Sequence, residues 1–147
     1  MGHLLKSLLA AALCTAWVLP CPAQPVNLLA NGSFEGGSFA GWSPNGATAV
    51  NTDARHGSWS ARITNQMMDT VVATTPGLEY KITAWLRIVS ETGSDWGGFS
   101  VSATSWDWNL LAQTPWLVRS ERGGDWFKVA IRFTATTPQT RLSVGYF

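Results

Sequence analysis

A chain of 147 residues with 10 Lys plus Arg, 9 Asp plus Glu and a formal charge of +1 has no surplus of positive charge to recruit a polyanion. Its arginines from Arg55 to Arg141 are scattered singly rather than clustered in a stripe, which argues against nucleic acid as a partner. Its length suits one domain, and its only cysteines, Cys14 and Cys21, fall in a segment expected to be removed, so neither disulfides nor thiolate metal sites are expected.

The chain opens Met1-Gly2-His3-Leu4-Leu5-Lys6, runs apolar over 7–19, and reaches Ala23 through Pro20-Cys21-Pro22. A charged start, a short apolar run and a small residue at the end read as a secretory signal peptide over 1–23. A spanning helix would need about 20 apolar residues. Pro20 before Cys21 and Leu13 before Cys14 do not suit a lipidated cysteine. The mature protein, residues 24–147, is therefore expected in the extracellular space or periplasm, with no membrane attachment after cleavage. Loss of Lys6 takes Lys plus Arg from 10 to 9 against 9 acids, a formal charge of zero.

From Val26 onward, short β-type runs are broken by Gly, Pro, Asn and Ser, and no stretch keeps a helical period. This predicts an all-β, two-sheet antiparallel β-sandwich. Runs at 47–51, 58–64 and 70–75 come first; in the second, Trp59, Ala61 and Ile63 share a face. Pro76-Gly77 then sets a tight turn before the clearest strand, 79–89. There Tyr80, Ile82, Ala84, Leu86 and Ile88 point inward, and Lys81, Thr83, Trp85 and Arg87 outward. Weaker alternation follows at 99–105. The run 126–135 repeats the strong pattern, with Phe127, Val129, Ile131 and Phe133 inward, and a last run covers 141–147. Gly97-Gly98 and Gly123-Gly124 supply further turns. The count approaches the eight strands of a jelly roll.

Three pieces come in a fixed order: Asn27-Leu28-Leu29-Ala30-Asn31-Gly32-Ser33-Phe34-Glu35, Gly41-Trp42, and His56-Gly57-Ser58-Trp59-Ser60-Ala61. They continue as Thr75-Pro76-Gly77-Leu78-Glu79-Tyr80-Lys81-Ile82, Asp125-Trp126-Phe127-Lys128-Val129 and Phe133-Thr134-Ala135. In order and spacing, over nearly all of 24–147, this resembles the family 4/9 type of carbohydrate-binding module. The resemblance implies a galactose-binding-like jelly roll that holds glycan chains in a cleft on one sheet. It also implies a plant-polysaccharide-degrading glycoside hydrolase as fused or co-secreted partner, and a structural calcium to which Glu35 contributes a carboxylate. No cofactor is required for binding. The sequence departs from the family pattern at Gly145-Tyr146-Phe147, ahead of the acidic final strand that usually completes the calcium site. If the chain is a fragment, an open sheet edge and poor solubility are expected.

Sugars present C–H patches that lie on aromatic faces and hydroxyls that need polar partners. Nine tryptophans less Trp17 leave eight to divide between packing and binding. Neighbouring apolar periodicity assigns Trp42, Trp59 and Trp126 to packing. Trp85 lies on the outward face of its strand with Arg87 two residues on, a platform with a hydroxyl clamp. Trp106 and Trp108, flanked by Asp107 and Asn109, share a parity at a strand end. Trp96 and Trp116, in loop-like surroundings, are candidate rim contacts. The binding reading requires the main candidates, Trp85, Trp106 and Trp108, to share one sheet face.

Glycosidases need two carboxyls roughly 5–10 Å apart. Asp107 with Asp125 is the only pair imaginable beside a Trp-lined groove, and His56 is the only histidine after the leader. No enzyme is expected. The alternatives are a secreted or cell-surface β-sandwich that binds protein through exposed tryptophans, and a jelly-roll glycoside hydrolase or lyase using His56 and an arginine.

Overall fold

The computed structural model describes residues 26–64, 66–90, 98–122 and 124–146. The expected signal peptide, Trp96, Gly97 and Gly123 lie outside them. In chain order the elements are β1 (Thr48–Val50), β2 (Ser60–Arg62), β3 (Met67–Ala73), β4 (Glu79–Leu86), β5 (Phe99–Ser105), β6 (Leu110–Gln113), the short helix α1 (Arg119–Arg122), β7 (Phe127–Thr134) and β8 (Gln139–Tyr146). The protein is all-β, a β-sandwich of antiparallel sheets.

Alternating side chains dictate the pairing of β4 with β7. Tyr80 lies opposite Phe133, Ile82 opposite Ile131, Ala84 opposite Val129 and Leu86 opposite Phe127, so the apolar set of each strand lands on one face. A slip of one residue would turn the whole set outward, and burial forbids it. The Tyr80 and Phe133 rings stack with centroids 5.6 Å apart. Such a pair contributes about 0.5–1.5 kcal/mol beyond its buried area.

This pair faces a four-stranded sheet in the order β3-β8-β5-β6, while β1 and β2 form a separate hairpin. Val72, Ala103 and Leu142 from the larger sheet pack with Phe133, Ile82 and Ile131. A second cluster joins Val101 and Leu117 to Leu86 and Ile88. Each large apolar side chain buried this way stabilises the fold by about 1.5–3 kcal/mol. In the central strand β5, flanked by β8 and β6, the short outward residues Ser100 and Ser102 are as inaccessible as the inward Val101. Two buried threonines, Thr74 and Thr140, satisfy each other at 3.0 Å.

Every strand expected from alternation is present, with bounds moved by a few residues. The additions are β6 and α1. The sequence 110–113, Leu-Leu-Ala-Gln, shows no alternation by itself and becomes a strand by pairing with Ser102 to Thr104 of β5 across a bulge.

Candidate functional site: the outer face of the four-stranded sheet

Register decides which side chains share this face. Val71, Arg141, Thr104 and Leu110 form one row across the sheet, and Asp69, Ser143, Ser102 and Gln113 form the next. Their parity is opposite to that of the core residues Val72, Leu142 and Ala103, so all point away from the core. The central strands contribute Ser102, Ser143, Ser100 and Gly145, all short. The longer Gln113 reaches over from β6 and donates from Nε2 to Ser100 Oγ at 3.0 Å.

At one end of the face the β5–β6 hairpin turns through Trp106, Asp107, Trp108 and Asn109. Trp108 N donates to Ser105 O at 3.0 Å, and Ser105 N donates to Asn109 O at 2.9 Å. The Ser105 hydroxyl, the Asp107 backbone amide and Asn109 all bond the Asp107 carboxyl, which holds its pKa below the ordinary carboxylate range. This geometry puts Trp108 at φ +66°. Three-residue hairpin loops of this kind usually place glycine in the left-handed position, because a Cβ there crowds the backbone at a cost of roughly 1–2 kcal/mol. A bulky residue held in that conformation is a strained feature of the kind that gathers at functional sites.

The strain aims the ring. Trp108 is 66% exposed, and the Arg141 guanidinium lies over its ring, 4.1 Å from the centroid. Arg141 NH1 donates to Asp69 Oδ1 at 3.1 Å. Asp69 is buried and takes a second hydrogen bond at Oδ2 from Asn45 Nδ2 at 2.9 Å, while its backbone bridges to Ser43. The series Asn45, Asp69, Arg141, Trp108 thus fixes an aromatic plate from behind and leaves its far side to solvent. The charges of Arg141 and Asp69 cancel, so the plate is flanked by a neutral pair with guanidinium N–H groups.

Trp116 stands at the other end of the same face. Leu117 pairs with Phe99 and is buried in the core, so the preceding residue faces outward. Its side chain lies over Gly98, where a Cβ would come within 2.8 Å of it, so no larger residue fits without displacing the indole. Half of Trp116 is exposed, at 50%. The length of β5 separates the two tryptophans by about 20 Å.

The remaining candidates lie elsewhere. Trp106 is exposed, but it sits in the turn rather than on a strand, where period two does not apply, and its N–H bonds Thr137 Oγ1 at 3.1 Å. Trp85 is 41% exposed on the outer face of the opposite sheet. There Arg55 covers its ring at 4.4 Å and the His56 ring meets it edge-on at 6.4 Å. Arg87 is occupied as a tie: Nε donates to Gly124 O at 2.9 Å and NH1 to Asp53 Oδ1 at 2.8 Å. The structure therefore brings Trp108 and Trp116 to one face and puts Trp85 and Arg87 on the other.

Trp42 packs against Phe34 with centroids 5.5 Å apart, and the ring of Trp59 lies against Gly37. Glu35 accepts hydrogen bonds from Ser58 N at 2.8 Å and Trp59 N at 3.3 Å, tying down the 57–59 turn. Calcium takes six to eight oxygen ligands. Among the described residues no three His, Cys, Asp or Glu side chains converge on a metal position. Asp107 and Asp125 are not brought together. Asp125 lies two residues before the first residue of β7, whereas Thr137, which bonds the Trp106 amide beside Asp107, lies past its last.

Sequence reasoning missed Arg141, Asp69, Asn45 and Gln113. For Arg141 a signal existed, since it alternates with the inward Leu142 and Val144 and so belongs on the outer face. Asp69 and Asn45 carried none, because only tertiary pairing joins them. Neither a protein-family model nor a curated protein gives a significant match to this chain.

Proposed function

We propose that the outer face of the four-stranded sheet binds polysaccharide of the β-glucan or xylan type without acting on it. In this reading the chain is a secreted module of the family 4/9 carbohydrate-binding type, exported by its leader to the extracellular space or periplasm. It works beside a fused or co-secreted glycoside hydrolase and needs no cofactor. The observation that carries the reading is Trp108, an exposed indole held at positive φ with a carboxylate-anchored guanidinium behind it. An axial C–H face of a sugar fits the open side of that ring, and the Gln113 amide, further along the face beside Ser100, can meet the hydroxyls of a following sugar. Trp116 extends the same track, which suits a chain of several sugars rather than a monosaccharide. Trp85 and Arg87 take no part, and Trp106 serves at most the rim of the turn.

Micromolar to millimolar affinity amounts to roughly 4–8 kcal/mol. Two stacked indoles and a few hydrogen bonds supply that after the ordering costs of binding. A carbohydrate array probed with the purified chain tests the reading, followed by competition with soluble xylohexaose. Binding that soluble oligosaccharide displaces supports it. Absence of retention on every glycan, together with capture of proteins that oligosaccharide does not displace, would move the site to the protein-interaction class.

A further inference from the structure

Both two-stranded sheets have an edge with no partner among the described residues, and the two edges line one cleft. Residues 82–90, running along β4 and past its end, form one wall, and residues 59–64, running through β2, form another. The cleft has a volume of about 610 Å³ and a floor of Met68, Val101, Leu142 and Val144 from the facing sheet. Among the described residues β4 pairs only with β7, and β2 only with β1. Each edge therefore directs a row of backbone N–H and C=O groups into the cleft. Trp42 lines the same space, and its buried indole Nε1–H has no hydrogen-bond partner among the described residues.

Unpaired donors along two facing strand edges, above an apolar floor, specify an extended polypeptide. We infer that this cleft is a strand-addition slot. A strand of a separate polypeptide enters between β2 and β4 and joins the two two-stranded sheets into one five-stranded sheet, β1-β2-strand-β4-β7, opposite the four-stranded one. Alternate side chains of that strand fill the floor and must be apolar. The others face outward between Arg55, stacked on Trp85, and Arg62 on β2, neither of which meets a carboxylate among the described residues. Those outward positions therefore favour Asp or Glu. The lining runs are roughly 20 Å and 30 Å long, which fits a strand of about six to nine residues.

This slot is independent of the glycan site, and synthetic peptides added to the full chain test it. An acetylated and amidated octapeptide of alternating valine and aspartate is expected to bind and to raise the Tm by roughly 5 °C at saturation. Alternating valine and lysine should bind at least tenfold more weakly. Because a strand in the slot pairs on both sides, N-methylation of either the odd or the even residues should cost at least tenfold in affinity. Xylohexaose should leave peptide binding unchanged, so failure of the glycan reading and failure of this one are separate results. Equal binding of methylated and unmethylated peptides, or no binding at all, overturns the inference. So does sensitivity to one methylation series alone, which would mean addition to a single edge. A stable dimer that excludes the peptide would mean that a second copy fills the cleft, and it also overturns it.

Discussion

Arg141 lies over the ring of Trp108 at 4.1 Å while its NH1 holds Asp69 at 3.1 Å. One guanidinium thus couples a buried carboxylate to an exposed aromatic ring. The carboxylate fixes the guanidinium, the guanidinium backs the ring, and the ring is left with one face free. The consequences for binding and for stability differ residue by residue.

Trp108→Gly should separate the two. Glycine relieves the positive φ, so the variant is expected to gain about 1 kcal/mol in stability and roughly 3 °C in Tm. It should lose glycan affinity by tenfold or more, because the stacking surface is gone. Thermal melts and affinity electrophoresis on the same preparation give both readouts. A variant that binds as well as the native chain would show that the strain serves only the turn.

Asp69→Asn keeps the shape and removes the charge. Both side chains of the ion pair are largely covered, so the loss is expected to cost about 2 kcal/mol of stability. Glycan affinity should fall with it, because Arg141 is no longer held over the face. Combined with Arg141→Met, the two losses should be far from additive in a double-mutant cycle. Additive effects would mean that the pair does not act as a unit.

Trp85→Ala should leave glycan affinity within twofold of the native value, because Trp85 occupies the outer face of the other sheet. Arg87→Ala is expected to lower stability by about 1 kcal/mol through its lost ties to Asp53 and Gly124. Calorimetric titration of each variant with a soluble oligosaccharide checks this. A large loss of affinity in Trp85→Ala would relocate the site.

The Asp107 carboxyl titrates below its ordinary value, so its bonds within the turn favour the ionised form. Their contribution is complete above the unfolded pKa of 3.8 and is lost as pH falls through the lower, folded pKa. The native chain should therefore lose more Tm than Asp107→Asn as pH falls from 5 toward 3. Parallel melting curves for the two proteins across that range would contradict the assignment.

The two strongest strands were legible because their inward residues alternate without a break, and burial then leaves one register for Ile82 against Ile131. The same rule exposed Trp85 as outward-facing but was silent on which outer face it joined, since parity says nothing of the order of sheets. Trp106 and Trp108 show where alternation stops being a guide: a hairpin turn lies between them and their strand, and a left-handed residue redirects the second ring. Asn45 and Asp69 are 24 positions apart and meet only through folding.

The most direct test is a comparison of the native chain with Trp108→Ala in affinity gels containing xylan or a soluble β-glucan. Retardation of the native chain, with loss of at least tenfold in affinity for Trp108→Ala at unchanged melting behaviour, is the expected result. Equal retardation of the two proteins, or none of either on any glycan, would contradict it.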